Sequence, residues 1–242
     1  FFLDYFATGK LDVDTAEAVI RGIAKGCELA GCALLGGETA EMPGSYPEGE
    51  YDLAGFAVGV VEKAKILDGS RVTVGDVLVA LPSSGLHSNG YSLARKVLFE
   101  RAGLAVDAKL EALGGVPLGE ALLTPTRIYA REVASALAAG EVHAMCHVTG
   151  GGLVGNLPRV LPDGTGAVVE GTPGRPAIFD VIAEHGGVAE AEMRRAFNLG
   201  VGYVFAVAER DADALLDTLD HAFVLGRVEA SDAAGEARVR YA

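Results

Sequence analysis

Ser83-Ser84-Gly85-Leu86-His87-Ser88-Asn89-Gly90-Tyr91-Ser92 separates the apolar run Asp76-Val77-Leu78-Val79-Ala80-Leu81 from the periodic segment Leu93-Ala94-Arg95-Lys96-Val97-Leu98. The order is strand, glycine-hinged polar loop, helix. Such a junction points several backbone N–H groups and hydroxyls at one place, and the start of a helix favours negative charge there. An imidazole, an amide and the hydroxyls of Ser83, Ser84 and Ser88 exceed what a turn needs. Taken alone, the loop also reads as a turn with a Ser or Asn helix cap and a solvated histidine.

A second loop of the same kind follows. His147-Val148-Thr149-Gly150-Gly151-Gly152 lies between the strand-like Val142-His143-Ala144-Met145-Cys146 and the helix-like Leu153 to Leu161. Successive glycines let backbone approach a ligand closely and supply unhindered N–H donors for an anion. Neither loop is a Walker A or dinucleotide fingerprint. A third cluster, Gly36-Gly37-Glu38-Thr39-Ala40-Glu41-Met42-Pro43-Gly44, sets two carboxylates beside a hydroxyl on what reads as a glycine-hinged loop. That suits a hard cation such as Mg²⁺, or else is a solvated acidic turn. Asp4, closing Phe1-Phe2-Leu3, is a further ligand candidate or a helix-start cap.

In this order, with Phe1-Phe2-Leu3-Asp4-Tyr5-Phe6-Ala7-Thr8-Gly9-Lys10-Leu11 in front and Thr124-Pro125-Thr126-Arg127-Ile128-Tyr129 and Phe197-Asn198-Leu199-Gly200-Val201-Gly202 behind, the motifs resemble the phosphoribosylformylglycinamidine cyclo-ligase family, the AIR synthetases of purine biosynthesis. The resemblance spans the whole chain. It departs at the front, where the family's Asp-Gly-Val-Gly-Thr-Lys segment and a further Asn-Asp pair are not found. The expectation is therefore an N-terminally truncated chain that does not turn over ATP by itself.

The resemblance implies an α+β, two-domain AIR-synthetase-like fold with mixed or antiparallel sheets, helices layered on one face, and an incomplete first domain. It implies ATP-dependent closure of formylglycinamidine ribonucleotide to aminoimidazole ribonucleotide, with ATP as co-substrate, Mg²⁺, and a homodimer that pairs first-domain sheets. On that footing Asp4, Glu38 and Glu41 hold the metal, and Glu38 and Thr39 the nucleotide. Ser84, Ser88, Asn89, His147, Thr149, Gly150, Gly151 and Gly152 bind substrate or transferring phosphate. His87 is catalytic, as a proton carrier or as a hydrogen-bond donor to a developing oxyanion. Two other readings stay open: another ATP-using member of the superfamily, and a binding or assembly fragment without catalysis.

Composition agrees with an enzyme of the cytoplasm. The 242 residues are 50% hydrophobic and 22% charged, enough for one large core or two modest ones. Cys27, Cys32 and Cys146 lack zinc or redox spacing, which favours a reducing compartment. No apolar run approaches the ~20 residues of a membrane span. A net charge of −13 argues against nucleic acid and anionic membranes as partners. It leaves room for a small phosphorylated substrate, whose charge Lys10, Arg127 or Arg159 can meet locally.

Periodicity predicts a helix over 14–29, capped by Asp12 or Asp14 and ended by Gly31, then strands over 33–35 and 51–62, the second buried. A charge and turn cluster over 63–75 marks a boundary, giving domains 1–67 and 68–242. Beyond it come strand 76–81, helices 90–102 and 119–139, strand 142–147, helix 153–161, strand 167–170, helices 176–185 (after Pro173-Gly174) and 190–197, strand 201–208, helix 210–219 and a terminal strand or hairpin through 227–241. His143, alternating with apolar neighbours, reads as a packed residue. His185 and His221 read as surface histidines.

Overall fold

The computed structural model describes residues 1–172 and 174–242; Pro173, placed above before a helix, lies outside the described residues. Contacts divide the chain into a smaller unit, Phe1–Ile66 with Ile128–Arg131, and a larger one, Leu67–Arg127 with Glu132–Ala242.

In the smaller unit, β1 (Phe2–Thr8), α1 (Val13–Ala30), β2 (Leu34–Glu41) and β3 (Tyr51–Ala57) form a sheet in the order β2-β1-β3. β1 and β2 are parallel, with α1 as the crossover, and β3 runs antiparallel to β1. The cap of α1 is Asp12, whose Oδ1 accepts the Thr15 N–H at 2.8 Å, and the helix ends at Gly31 in a left-handed conformation, φ 70°.

Two expectations fail here. The segment from Gly36 to Glu41 is strand and not loop, because an unbroken parallel ladder from Leu3↔Gly36 to Thr8↔Glu41 holds it against β1. Gly36, φ 144°, sits at the register shift, and a Cβ on Gly37 would fall 1.8 Å from the Asp4 carbonyl oxygen. Both glycines serve the pairing. Gly37→Ala should therefore lower stability by about 1–3 kcal/mol, the usual cost of forcing extra atoms into a packed site, read as a lower urea midpoint. The strand expected over 51–62 ends at Ala57 and is exposed at every residue, because it is an edge strand while α1 packs on β1.

The larger unit contains β4 (Val77–Pro82), α2 (Tyr91–Arg95, continued by a π-turn over Lys96–Arg101), α3 (Leu118–Leu122), α4 (Ala130–Ala139) from Glu132 onward, β5 (Val142–His147), α5 (Gly152–Asn156), β6 (Thr165–Val169), α6 (Ala177–Gly186), α7 (Glu190–Ala196), β7 (Val201–Val207), α8 (Glu209–Thr218), β8 (Phe223–Ala230) and β9 (Val239–Tyr241). Its sheet has the order β5-β7-β4-β8-β6-β9, antiparallel except between β6 and β9. The helix expected over 119–139 is two helices, since Pro125 removes an N–H and disfavours helical backbone before it. Pro158 likewise turns the end of the one expected over 153–161 into a 3₁₀ turn.

Leu78, Ala80, Val204 and Ala206 point into a core with Leu153, Leu157 and Leu161. The alternate residues Val79, Leu81, Phe205 and Val207 face the other way and are also buried, on the side where α8 packs against β4. Helices thus cover both faces of the sheet centre rather than one, because β4 and β7 carry no polar alternation to leave a side wet. A second core joins α2, α3, α6 and α7 around Leu98, Leu118, Phe179, Ile182 and Met193.

One consequence of strand order positions the site. β4 and β5 are both antiparallel to β7, which lies between them, so they are parallel to each other. The loops leaving their C-terminal ends, over 83–90 and 148–151, therefore open at the same edge, together with the loop over 197–200 that enters β7.

Candidate functional site

The first loop is fixed from three sides. Ser83 Oγ lies 2.8 Å from Asn198 Oδ1, Asn198 Nδ2 donates to the Gly85 carbonyl at 2.8 Å, and the Gly200 N–H donates to Asn198 Oδ1 at 2.9 Å. Ser84 Oγ donates to the Pro125 carbonyl at 2.6 Å, and Ser88 Oγ pairs with Thr126 Oγ1 at 3.1 Å. His87 folds back in a left-handed conformation, φ 57°, so that its Nε2 accepts the Ser84 N–H at 3.1 Å. Only 3% of His87 is exposed. Burial, with His147 and the Arg127 guanidinium adding to it, pushes its pKa down to about 4. The ring is therefore neutral at pH 7, with an unprotonated Nε2 and its proton on Nδ1.

The second loop is organised by Asn156. Its Nδ2 donates to the carbonyls of Gly152 at 2.7 Å and Gly150 at 3.1 Å, and its Oδ1 accepts from Thr149 Oγ1 at 3.0 Å. The three glycines have different tasks. The Gly152 N–H closes a turn onto the Thr149 carbonyl, whereas those of Gly150 and Gly151 make no hydrogen bond among the described residues. Gly151 has φ 97°, while Gly152, φ 58°, lies so close to the 194–197 segment that a Cβ would meet the Arg194 carbonyl oxygen at 2.0 Å.

The two loops touch. A Cβ on Gly150 would come within 3.3 Å of Asn89 Oδ1, and the His87 and His147 rings are 6.1 Å apart. His147 stacks on Tyr203 at 5.8 Å, and burial lowers its pKa too. Arg127 stands nearby, paired with Glu132 at 2.8 Å. Cys146 carries no nucleophilic thiolate here, its pKa being pushed up to about 12 by burial. The larger unit thus brings together Ser84, His87, Ser88, Asn89, His147, Thr149 and Gly150 to Gly152. Asn198 and Asn156, both 3% exposed, are the two organising residues that the sequence reading did not single out.

Because His87 holds its neutral form more tightly folded than unfolded, its contribution to stability is complete above about pH 6.5, the unfolded value, and is lost as pH falls towards 4. Urea midpoints measured from pH 7 to 4 should fall more steeply in the native protein than in His87→Asn.

The carboxylates of the smaller unit do not assemble. Asp4 pairs with Gly37 and shares its face with Thr39 and Glu41, while Glu38, one residue on, points to the other. Along the strand, Glu41 lies four residues, about 13 Å, beyond Gly37. Glu41 Oε1 accepts the Leu11 N–H at 3.2 Å, and Glu38 and Thr39 are exposed. No group of three His, Cys, Asp or Glu among the described residues could hold a metal ion. The Asp4, Glu38, Glu41 triad does not fit one Mg²⁺.

Residues 1–61 match the sequence profile of the N-terminal domain of AIR synthase related protein, and residues 73–237 that of its C-terminal domain. The phosphoribosylformylglycinamidine cyclo-ligase of Sorangium cellulosum is 60% identical over 94% of this chain and 67% of its own length. That of Myxococcus xanthus is 59% identical over 98% and 69%. The chain spans about two thirds of these relatives. The hydrogenase maturation protein HypE in complex with ATP superposes with a TM-score of 0.62 at 20% identity, covering 95% of this chain and 64% of that one. At that identity the likeness concerns the fold.

Proposed function

The chain belongs to the AIR synthase related family, and from that premise we propose that, contrary to the expectation that it does not turn over ATP by itself, it catalyses the ATP-dependent cyclisation of formylglycinamidine ribonucleotide to aminoimidazole ribonucleotide in purine biosynthesis, in the cytoplasm. Relatives named for this ligase, about 60% identical over nearly the whole chain, support the reaction. The observation that carries the site is the meeting of Asn89 with Gly150 beside two unpaired backbone donors.

An amide oxygen is a poor leaving group. In the reaction the formyl oxygen takes the γ-phosphoryl group of ATP, releasing ADP, and an amidine nitrogen then attacks the activated carbon. The ring C–N bond forms, the C–O bond breaks, inorganic phosphate leaves, and a proton goes to solvent. Catalysis of such a step is mostly positioning and charge neutralisation.

The residues divide accordingly. The N–H groups of Gly150 and Gly151 face the phosphoryl oxygens, with Arg127 as the nearby positive charge. Ser84 and Thr149 have committed their hydroxyl protons to Pro125 and Asn156, which leaves their oxygens as acceptors. They are suited to the N–H and O–H groups of an amidine and a ribose rather than to phosphate. His87 is buried and neutral, so it acts by holding the Ser84 amide and offering an uncharged donor, not as a cationic acid. Accordingly kcat should show no ionisation from His87 between pH 5.5 and 8. A dependence on a group of pKa 6 to 7 that disappears in His87→Asn would restore the proton carrier.

ATP is the co-substrate in this reading. Mg²⁺ is assigned no step, because the carboxylates that the resemblance implies do not converge. The homodimer is supported by the apolar side chains on β3, where Tyr51, Leu53 and Phe56 are exposed. The assay for the activity is ADP release that requires both ATP and the formylglycinamidine ribonucleotide. Release independent of the second substrate would favour another member reaction.

A further inference from the structure

A cavity of about 140 Å³ lies in the larger unit, lined by Thr172, Arg175, Glu190, Arg194, Asn198 and Tyr241 among others. It is built around a shared carboxylate. Arg175 Nη1 donates to Glu190 Oε2 at 2.9 Å and Arg194 Nε to Glu190 Oε1 at 3.2 Å. One carboxylate so receives a single N–H from each of two guanidiniums. Asp180 Oδ1 stands 3.1 Å from Arg175 Nε, on the more exposed side.

Donors remain after this pairing. Arg175 Nη2 is buried and has no hydrogen-bond partner among the described residues. Among the described residues neither terminal nitrogen of Arg194 donates a hydrogen bond; its guanidinium lies 3.7 Å over the Tyr241 ring. Buried charged donors without acceptors are rare and costly, and each calls for a physical explanation. An open planar fork of N–H groups matches the spacing of two oxygens on one oxyanion. Burial raises the Tyr241 pKa above its usual value, so its hydroxyl too remains a donor. The volume is below the ~300–1,000 Å³ of sites that take drug-sized ligands, which excludes a nucleotide and leaves space for one small anion.

We propose that this cavity is a binding site for a single tetrahedral oxyanion of the phosphate class, held by Arg175 Nη2, the free N–H groups of Arg194 and the Tyr241 hydroxyl. It is built from residues other than the free glycine amides of the 147–152 loop, and it does not depend on the cyclisation reading. The protein would then carry two anion sites of different chemistry, one made of backbone amides and one of guanidiniums.

The experiment is a titration of the intact protein with inorganic phosphate, and separately with methyl phosphate, following the arginine side-chain N–H signals by NMR. Arg175 and Arg194 should shift saturably together. Arg175→Met should weaken that binding at least tenfold, as loss of a charge-assisted bond does, while Gly151→Val leaves it unchanged. Tyr241→Phe gives an independent severalfold loss if Arg175→Met proves unfolded by circular dichroism. Saturation by both probes identifies a phosphoryl group with its fourth oxygen pointing outward, and saturation by phosphate alone identifies the free ion. Signals unmoved at tens of millimolar phosphate, or equal affinity in native protein and both variants, would overturn the proposal. A crystal showing only water against Arg175 Nη2 at saturating phosphate does the same.

Discussion

His87→Asn should lower kcat about 10²-fold or more while leaving most of the fold intact. Asparagine is the substitution of choice because it tolerates the left-handed backbone that position 87 adopts, φ 57°, whereas a change to alanine would mix loss of the ring with backbone strain. What disappears is the ring whose Nε2 accepts the Ser84 N–H and whose mass fills the space beside His147. Displacing a binding group by about 1 Å is enough for a 10²-fold loss, and removal of a donor to developing charge gives a similar figure. Steady-state kinetics and a thermal melt on the same preparation check this. A variant that keeps its turnover and its melting temperature would reduce His87 to a loop residue.

Gly152→Ala should be the more destructive of the glycine changes. The new Cβ would sit 2.0 Å from the Arg194 carbonyl oxygen and 2.7 Å from that of Phe197, at a φ of 58° that alanine avoids. Backbone must move, and overpacking with positive φ together costs about 2–4 kcal/mol. Because Asn156 ties the Gly150 and Gly152 carbonyls to one side chain, the shift passes directly to the free donors beside Asn89. Both the melting temperature and the affinity for substrate should fall. Gly151→Val, with no atom closer than 3.5 Å to its Cβ but φ 97°, should weaken binding with less effect on the fold. Gly155→Ala is the control: it lies in α5 with open space around it, and the gain in helix propensity makes it neutral or stabilising by up to about 1 kcal/mol. If Gly152→Ala behaved like Gly155→Ala, the 147–152 loop would not be clamped as described.

How far the sequence shows this is uneven, for identifiable reasons. The units β4–loop–α2 and β5–loop–α5 are legible because each is local, an apolar run giving way to glycine and then to helical spacing. Their meeting is not legible. It arises from β7, some 50 residues beyond β5, inserting between the two strands and making them parallel. Asn198, though quoted within the Phe197 to Gly202 motif, is given no role there for the same reason, since its partner Ser83 is 115 positions away and an Asn before a Leu-Gly pair looks like a turn. The Gly36-Gly37-Glu38 stretch misled in the opposite direction. Two glycines and two acids carry a strong turn signal, yet the ladder with β1 outweighs it. Once it is strand, a separation of three residues between Glu38 and Glu41 already sets them on opposite faces. The exposure of β3 was equally beyond reach, because Tyr51 to Ala57 is as apolar as a buried strand and only its place at the sheet edge leaves it uncovered.

The reading of the chain as a cyclo-ligase makes one chemical demand that other ATP-using reactions on this fold do not share: the oxygen of the formyl group must leave on phosphorus. Formylglycinamidine ribonucleotide labelled with ¹⁸O in its formyl group, incubated with ATP and the intact protein, should give aminoimidazole ribonucleotide free of label and inorganic phosphate carrying one ¹⁸O per ring closed. Label recovered in water, or ADP released without ring closure and without labelled phosphate, would contradict it.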